Sequence, residues 1–253
     1  MTEKFRPIRF IAFCAVLCAF TGAADAAEIK LIASNAVKEA YGQLLPAYEK
    51  ASGNKVTVSW SGTADIIKRV NGGEVADAVI ITDAGIDGLI KQGKLVSAGR
   101  INVAKSAAGV AVRAGAPKPD ISSTEALKKS VLAAKGIVLT PGPSNPFLHQ
   151  LFDKMGIGAE AKAKEVQPAQ GQQLTDPIVQ GKADLVFSQI SELIAVEGVA
   201  YAGPLPKGSE IVLTYSVAYP AAAPNAEATK ALMKFLTTPD AVKVLKKNGL
   251  EPG

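Results

Sequence analysis

Ile29-Lys30-Leu31-Ile32-Ala33-Ser34-Asn35-Ala36 is a short apolar run that breaks into a Ser-Asn pair. Helical spacing follows it, with Val37, Tyr41, Leu44 and Leu45 on one face. A run of this length ending in polar residues predicts a buried strand over 29–33 that feeds directly into a helix. Pro46 predicts the start of a second helical piece, and Gly53 its C-terminal stop. The same unit then repeats along the chain. Val56, Val58 and Trp60 alternate with Thr57 and Ser59 as a half-buried strand, and 64–70 is helical before Gly72-Gly73. A strand over 78–81 precedes a helix marked by Ile86, Leu89 and Ile90. Strands alternating with helices that end at glycine argue for βαβ units in a parallel or mixed sheet.

The second half has the same style. Residues 110–112 are strand-like, a turn with Pro117 and Pro119 follows, and Ser122 with Glu125 predicts a capping box for a helix to 135. Strands over 137–139 and 184–187, helices from Ser144 and from Asp176-Pro177, a long strand over 211–219 and helical segments with Leu232, Phe235 and Leu236 inward complete the chain. Gly73-Glu74-Val75-Ala76-Asp77 before one strand is echoed by Gly181-Lys182-Ala183-Asp184 before another. Two α/β lobes of similar design are expected, with the chain crossing near 105–110 and returning near 211–217.

The N-terminus differs from all of this. Lys4, Arg6 and Arg9 precede an apolar run over 10–20 and the small-x-small triplet Ala24-Asp25-Ala26, the order of a secretory signal peptide over 1–26. No later stretch is apolar for long enough to span a bilayer. Both cysteines, Cys14 and Cys18, fall in the leader, so the exported chain has no thiol for a disulfide, a thiolate metal site or a nucleophile. Cys18 follows Ala15-Val16-Leu17, which is not a lipoprotein context, so a free periplasmic protein is expected. With 48% hydrophobic and 20% charged residues the composition is globular, and it excludes disordered, collagenous and coiled-coil chains. The net charge of +5 favours anions mildly, but without a basic run or basic-aromatic interleaving it does not indicate nucleic acid.

In four places a strand ends in a small polar cluster that opens a helix: Ala33-Ser34-Asn35, Ser61-Gly62-Thr63, Gly142-Pro143-Ser144-Asn145 and Ser188-Gln189-Ile190-Ser191. Free N–H groups, the positive end of the helix dipole and a hydroxyl together hold a compact anion without any formal positive charge. Any one of these serines also makes an ordinary N-cap. Open α/β sheets, however, bind ligands outside the carboxyl ends of their strands, and two clusters per lobe would face each other across a cleft.

Ser34-Asn35-Ala36, Trp60-Ser61-Gly62-Thr63, the segment 73–77 and Gly203-Pro204-Leu205-Pro206 give the chain its family likeness. In their order it resembles the periplasmic molybdate-binding-protein-like solute receptors of ABC transporters, over essentially the whole chain after the leader. The resemblance implies an α/β, two-lobe type II periplasmic binding protein fold with a ligand cleft between the lobes. Lobe 1 would comprise 27–107 and 215–253, and lobe 2 would comprise 108–214. It also implies a tetrahedral oxyanion held by neutral donors, with Ser34 and Ser61 as first-lobe contacts. The second lobe departs from the molybdate pattern: it carries Gly142-Pro143-Ser144-Asn145-Pro146 and Phe187-Ser188-Gln189-Ile190-Ser191 where molybdate receptors have an Ala-Gly-type turn and a Tyr-x-Thr-Asp-like segment. Ser144, Asn145 and Gln189 could reach a larger organic anion, and Gln172 joins the candidates on family position.

The expected ligand-binding set is therefore Ser34, Asn35, Ser61, Gly62, Thr63, Ser144, Asn145, Gln172 and Gln189. No arginine lies in the four clusters, and a cage of donors alone favours a fully deprotonated anion such as molybdate or tungstate. A small polycarboxylate would fit if Lys105 or Arg113 turned inward. An enzyme would need a base. The sole histidine, His149, sits in a helical stretch, and 142–146 lacks the second glycine of a G-x-S-x-G elbow. Asp83 and Asp87 share a helix face with no second acidic cluster beside them. We expect a monomeric, non-enzymatic receptor with no cofactor or metal, which binds a small multiply charged anion and serves an ABC permease. The alternatives are a receptor for a small organic polycarboxylate and a ligand-sensing partner of a signalling system.

Overall fold

The computed structural model describes residues 26–168 and 175–253. The expected leader, Ala26 excepted, and Gln172 lie outside the described residues. The first stretch runs β1 (Glu28–Ser34), a 3-10 turn (Asn35–Val37), α1 (Lys38–Ser52), β2 (Lys55–Ser61), α2 (Thr63–Asn71), β3 (Ala78–Thr82) and α3 (Asp83–Lys91). A long strand, β4 (Ile101–Arg113), leads to α4 (Thr124–Ala133), β5 (Ile137–Leu139), α5 (Asn145–Lys154) and α6 (Gly158–Ala163). Then come α7 (Asp176–Val179), β6 (Leu185–Gln189), α8 (Ile190–Leu193), β7 (Val199–Pro204) and β8 (Val212–Ala218), followed by α9 (Ala226–Phe235), α10 (Pro239–Lys247) and β9 (Leu250–Glu251).

The strands form a mixed sheet in the order β2-β1-β3-β8-β4-β6-β5, with β7 and β9 added on β4. β1 pairs in parallel with β2 and β3, as βαβ crossovers require, whereas β3–β8 and β8–β4 are antiparallel. Strand β4 serves both lobes. Its residues up to Ala107 pair with β8, and from Ala108 it pairs with β6 and then β7.

Side chains alternate across each sheet, and helices cover both faces. In β1 Ile29, Leu31 and Ala33 join a core with α1, α9 and α10, while Ile32 points the other way, toward α2 and α3. In the second lobe Leu185 and Phe187 face α4, α5 and α6, and Val186 packs with Ile178 and Leu193. Sheets buried on both faces read as continuous apolar runs. Each fully buried Leu, Ile or Phe contributes about 1.5–3 kcal/mol of transfer free energy. β2 is an edge strand, and its Val56, Val58 and Trp60 are half-buried as the alternation predicts.

The sequence echo has a structural counterpart. Asp77, at the end of the first repeat, accepts the N–H of Lys30 at 2.8 Å and that of Asn225 at 2.9 Å. Asp184, at the end of the second, accepts the N–H of Lys135 at 2.8 Å. In each lobe an aspartate just before one strand clamps the start of its parallel neighbour, so the Ala-Asp pair sets strand register rather than chemistry.

Two local expectations change. Pro46 lies inside α1 instead of starting a new helix. A proline removes one i→i−4 hydrogen bond, but Tyr41, Leu44 and Leu45 before it and Tyr48 after it bury into one core, and that packing keeps the helix continuous. The cap of α4 is Ser123, whose Oγ accepts the Ala126 N–H at 3.1 Å, while Ser122 pairs with Asp120. With the N-cap one residue later, Glu125 is a position early for a capping box.

Candidate functional site

Four strand ends and one mid-strand residue converge on a cavity of about 250 Å³ between the lobes. From the first lobe β1 delivers Ser34 and Asn35, the start of α2 delivers Gly62 and Thr63, and β8 contributes Tyr215. The second lobe supplies the loop after β5 (Thr140 to Ser144), Thr175 ahead of α7, and Ser188, Gln189 and Glu192 from the β6–α8 junction. Of the sequence candidates, Ser34, Asn35, Gly62, Thr63, Ser144 and Gln189 line this one cavity. Ser61 and Asn145 are not among its lining residues.

The reason for Ser61 is local: its hydroxyl donates to Asp65 Oδ2 at 2.6 Å, one helical turn on. Thr63 takes its place. Its Oγ1 is buried without a hydrogen-bond partner in the protein, and the N-cap Gly62 offers no side chain to the first turn of α2. Ser34 accepts the Ala36 N–H at 3.3 Å and is hydrogen-bonded to the phenol of Tyr215. Ser144 is buried at the entry to α5 but makes no side-chain cap there, so its hydroxyl is not committed to the helix.

Gln189 ends β6 and is the N-cap residue of α8. It is 3% exposed, and neither its amide oxygen nor its amide nitrogen is hydrogen-bonded within the protein. An unmet buried amide costs roughly 1–3 kcal/mol, and that of Gln189 borders the cavity.

Sequence reasoning missed Thr140, Thr175, Glu192 and Tyr215. Thr140 Oγ1 lies 2.7 Å from Ser188 Oγ, which donates to Glu192 Oε2 at 2.6 Å. This chain holds a carboxylate in a cavity otherwise lined by hydroxyl, amide and apolar groups. Burial raises the Glu192 carboxyl above the ordinary glutamate range, against the opposing hydrogen bonds from the Ser188 hydroxyl and the Gln189 N–H. Burial also raises the Tyr215 phenol, with the Glu192 charge adding to the effect. The sequence signal for Glu192 was its place three residues past Gln189, on the inner face of α8. Tyr215 carried no local signal, because it sits in the middle of a strand.

Among the described residues, no lysine or arginine lines the cavity. Arg69 is taken up by Glu74 at 2.6 Å and Asp65 at 3.7 Å, Arg113 lines a separate cavity on the second lobe, and Arg100 pairs with Asp87 at 3.0 Å. His149 lies 3.5 Å from Glu165, outside the cleft lining.

Two α/β lobes joined through a shared strand, with a polar cleft at the carboxyl ends of their strands, define a two-lobe periplasmic binding protein fold. The family model described as bacterial extracellular solute-binding protein matches residues 29–251, and the chain belongs to that family. A curated relative, aconitate isomerase of Pseudomonas sp., is 31% identical over 231 residues, covering 88% of this chain and 87% of the relative. Among solved structures, the periplasmic molybdate-binding protein of Azotobacter vinelandii superposes with a TM-score of 0.72 at 17% identity, covering 89% of this chain and 99% of that one. The sulfate-binding protein SubI of Mycobacterium tuberculosis gives 0.71 at 22% identity, covering 89% and 87%. L-phospholactate-bound PEB3, a Campylobacter jejuni protein, gives 0.66 at 14% identity, covering 89% and 100%. Among the described residues, no helix is long and apolar enough to cross a membrane.

Proposed function

We propose that this chain is a periplasmic receptor that binds a small organic polycarboxylate between its lobes and presents it to an ABC permease as a monomer. One observation carries the choice of ligand: Glu192 places a carboxylate in a cavity whose other polar groups are donors or neutral amides. A tetrahedral oxyanion such as molybdate presents oxygen in every direction, so some oxygen must meet that carboxylate. An extended organic acid can set its carboxylates on Ser34, Thr63, Ser144 and Gln189 and turn a C–H or a protonated oxygen toward Glu192. The volume of about 250 Å³ lies just below the range for drug-sized ligands, as suits a small metabolite. The polycarboxylate named for the 31% identical relative agrees with this reading.

Closure brings the two half-sites together, since contacts available only in the closed state shift a pre-existing open–closed equilibrium. The division proposed for that motion is 27–107 with 215–253 against 108–214. The change of partner within β4, from β8 to β6 after Ala107, supports it.

Isothermal titration of the purified chain with cis- and trans-aconitate, tricarballylate, citrate, molybdate, tungstate and sulfate tests the reading. Binding of at least one tricarboxylate, with no heat from the oxyanions, is the expected result. Heat from molybdate or tungstate alone would overturn it in favour of an oxyanion receptor.

The curated relative is named for an isomerase, and this together with the cleft carboxylate favours a second reading, in which the bound acid undergoes chemistry as well as capture.

A further inference from the structure

We propose that the acid held in the cleft is a hydroxy polycarboxylate, and that Glu192 selects it by accepting a hydrogen bond from its carbon-bound hydroxyl. The inference rests on the polycarboxylate reading above and names the class of acid within it.

Donors and acceptors on the cleft lining do not balance. Three groups have protons left for the carboxylates of a ligand: Thr63 Oγ1 and the Gln189 amide nitrogen are buried with no partner in the protein, and the Ser144 hydroxyl makes no cap on α5. Thr140 and Ser188 do not add to them. Thr140 donates to Ser188 Oγ at 2.7 Å, and Ser188 donates to Glu192 Oε2 at 2.6 Å, so both hydroxyl protons are committed within the protein.

Acceptors are left over as well. Among the described residues Glu192 is the one carboxylate on the lining, and a carboxylate offers about four lone-pair sites. The Ser188 hydroxyl and the Gln189 N–H take up part of that capacity. Gln189 Oε1 is buried and has no partner at all. An acid whose polar groups are all ionised carboxylates brings acceptors only. It satisfies the donors, leaves these two acceptors without a proton and sets its own charge against Glu192. A hydroxyl supplies the missing donor without adding charge. Its proton goes to Glu192, because a bond to a charged acceptor is the stronger one, and its oxygen is free to accept from the Gln189 amide.

The position of Glu192 suits a hydroxyl in the body of the acid. The carboxyl is held from the second lobe by Ser188 and Gln189, and its charge is felt by Tyr215 of the first, so it lies where the half-sites meet. An extended acid with its end carboxylates on Thr63 in one lobe and Ser144 in the other turns the carbon chain between them toward this point. Glu192 also has a local role, since it is the third residue of α8 and its bond from the Gln189 N–H is half of a capping box. Loss of that role would weaken every ligand alike, whereas loss of the hydroxyl contact weakens only the ligand that has a hydroxyl.

Citrate and tricarballylate differ by one hydroxyl on the same tricarboxylate, as malate and succinate do on a dicarboxylate. Titration calorimetry of the purified chain near neutral pH with both pairs, and with trans-aconitate as a further acid without a hydroxyl, reads that group directly. In the pair that binds, the hydroxy acid is expected to bind about 10–100-fold more tightly than its partner, and no acid without a hydroxyl should match the best hydroxy acid. Glu192→Gln keeps the capping bond and should narrow the ratio several-fold. Glu192→Leu removes the acceptor and should bring the ratio to about one, with the acid that lacks a hydroxyl bound as well as by the wild type or better. Melting of both variants confirms that they fold.

Hydroxy acids bound no more tightly than their partners overturn the inference and leave the receptor reading standing. Binding of none of these acids overturns the inference, and heat from molybdate or tungstate in their place overturns the receptor reading with it. A preference for the hydroxy acid that survives in Glu192→Leu overturns the role given to Glu192.

Discussion

The Ser188 hydroxyl donates to the Glu192 carboxylate at 2.6 Å, and this holds the one acid among the described residues lining the cleft where its charge is felt by Tyr215 across the lobe boundary. A residue of the short helix α8 on one lobe and a mid-strand residue on the other thereby form a coupled pair.

That pairing predicts a pH signature. Burial raises the Glu192 pKa in the fold, so the fold favours its protonated form. The associated stability is fully present below the ordinary glutamate value and is lost as pH rises through the raised, folded value. Glu192→Gln cannot ionise, so it should melt higher than the wild type at pH 8, and the difference should shrink toward pH 4. Thermal unfolding of both proteins across that range checks it, and a difference independent of pH would refute it.

Gln189 should separate binding from stability. Its buried amide makes no hydrogen bond within the protein, so Gln189→Leu, of similar size, is expected to leave stability unchanged or raise it by about 1–2 kcal/mol. The same change removes a donor from the cleft and should weaken ligand binding by about tenfold or more. Melting and titration of one variant read both outcomes, and a loss of stability would show that the amide already has a structural partner.

The aspartate clamps should differ in strength. Asp77 is 2% exposed and holds two backbone N–H groups, so Asp77→Ala should cost about 2–4 kcal/mol in urea unfolding. Asp184 holds one such group, and its side chain is 44% exposed, so Asp184→Ala should cost clearly less. Equal losses would mean that burial does not govern the clamp.

The two adjacent serines before α4 make a sharp contrast. Ser123→Ala removes a cap and should cost about 1 kcal/mol, whereas Ser122→Ala removes a surface contact to Asp120 and should cost a few tenths at most. Denaturant midpoints of the two variants decide it.

Much of the architecture was legible locally. The alternation in 56–60, the apolar runs at 29–33 and 78–81 and the helical faces between them are properties of a few consecutive residues, and they become β1, β2, β3 and the helices around them. Boundaries and caps were less legible. Pro46 argues for a break that only the shared burial of Tyr41 and Tyr48 prevents, and the choice between Ser122 and Ser123 depends on where the chain leaves the loop.

The amino-acid sequence by itself determined the α/β alternation and the polar clusters at strand ends, because periodicity and helix starts depend on neighbours within one or two turns. Only the tertiary structure decided which residues of those clusters line the shared cavity. Ser61 is drawn to Asp65, Thr63 faces the cleft, and Glu192 meets Tyr215 because β4 and β8 bring the two lobes edge to edge. Such convergence rests on strand pairings more than a hundred residues apart in the chain, such as Ile101 with Val217, and no local pattern records them.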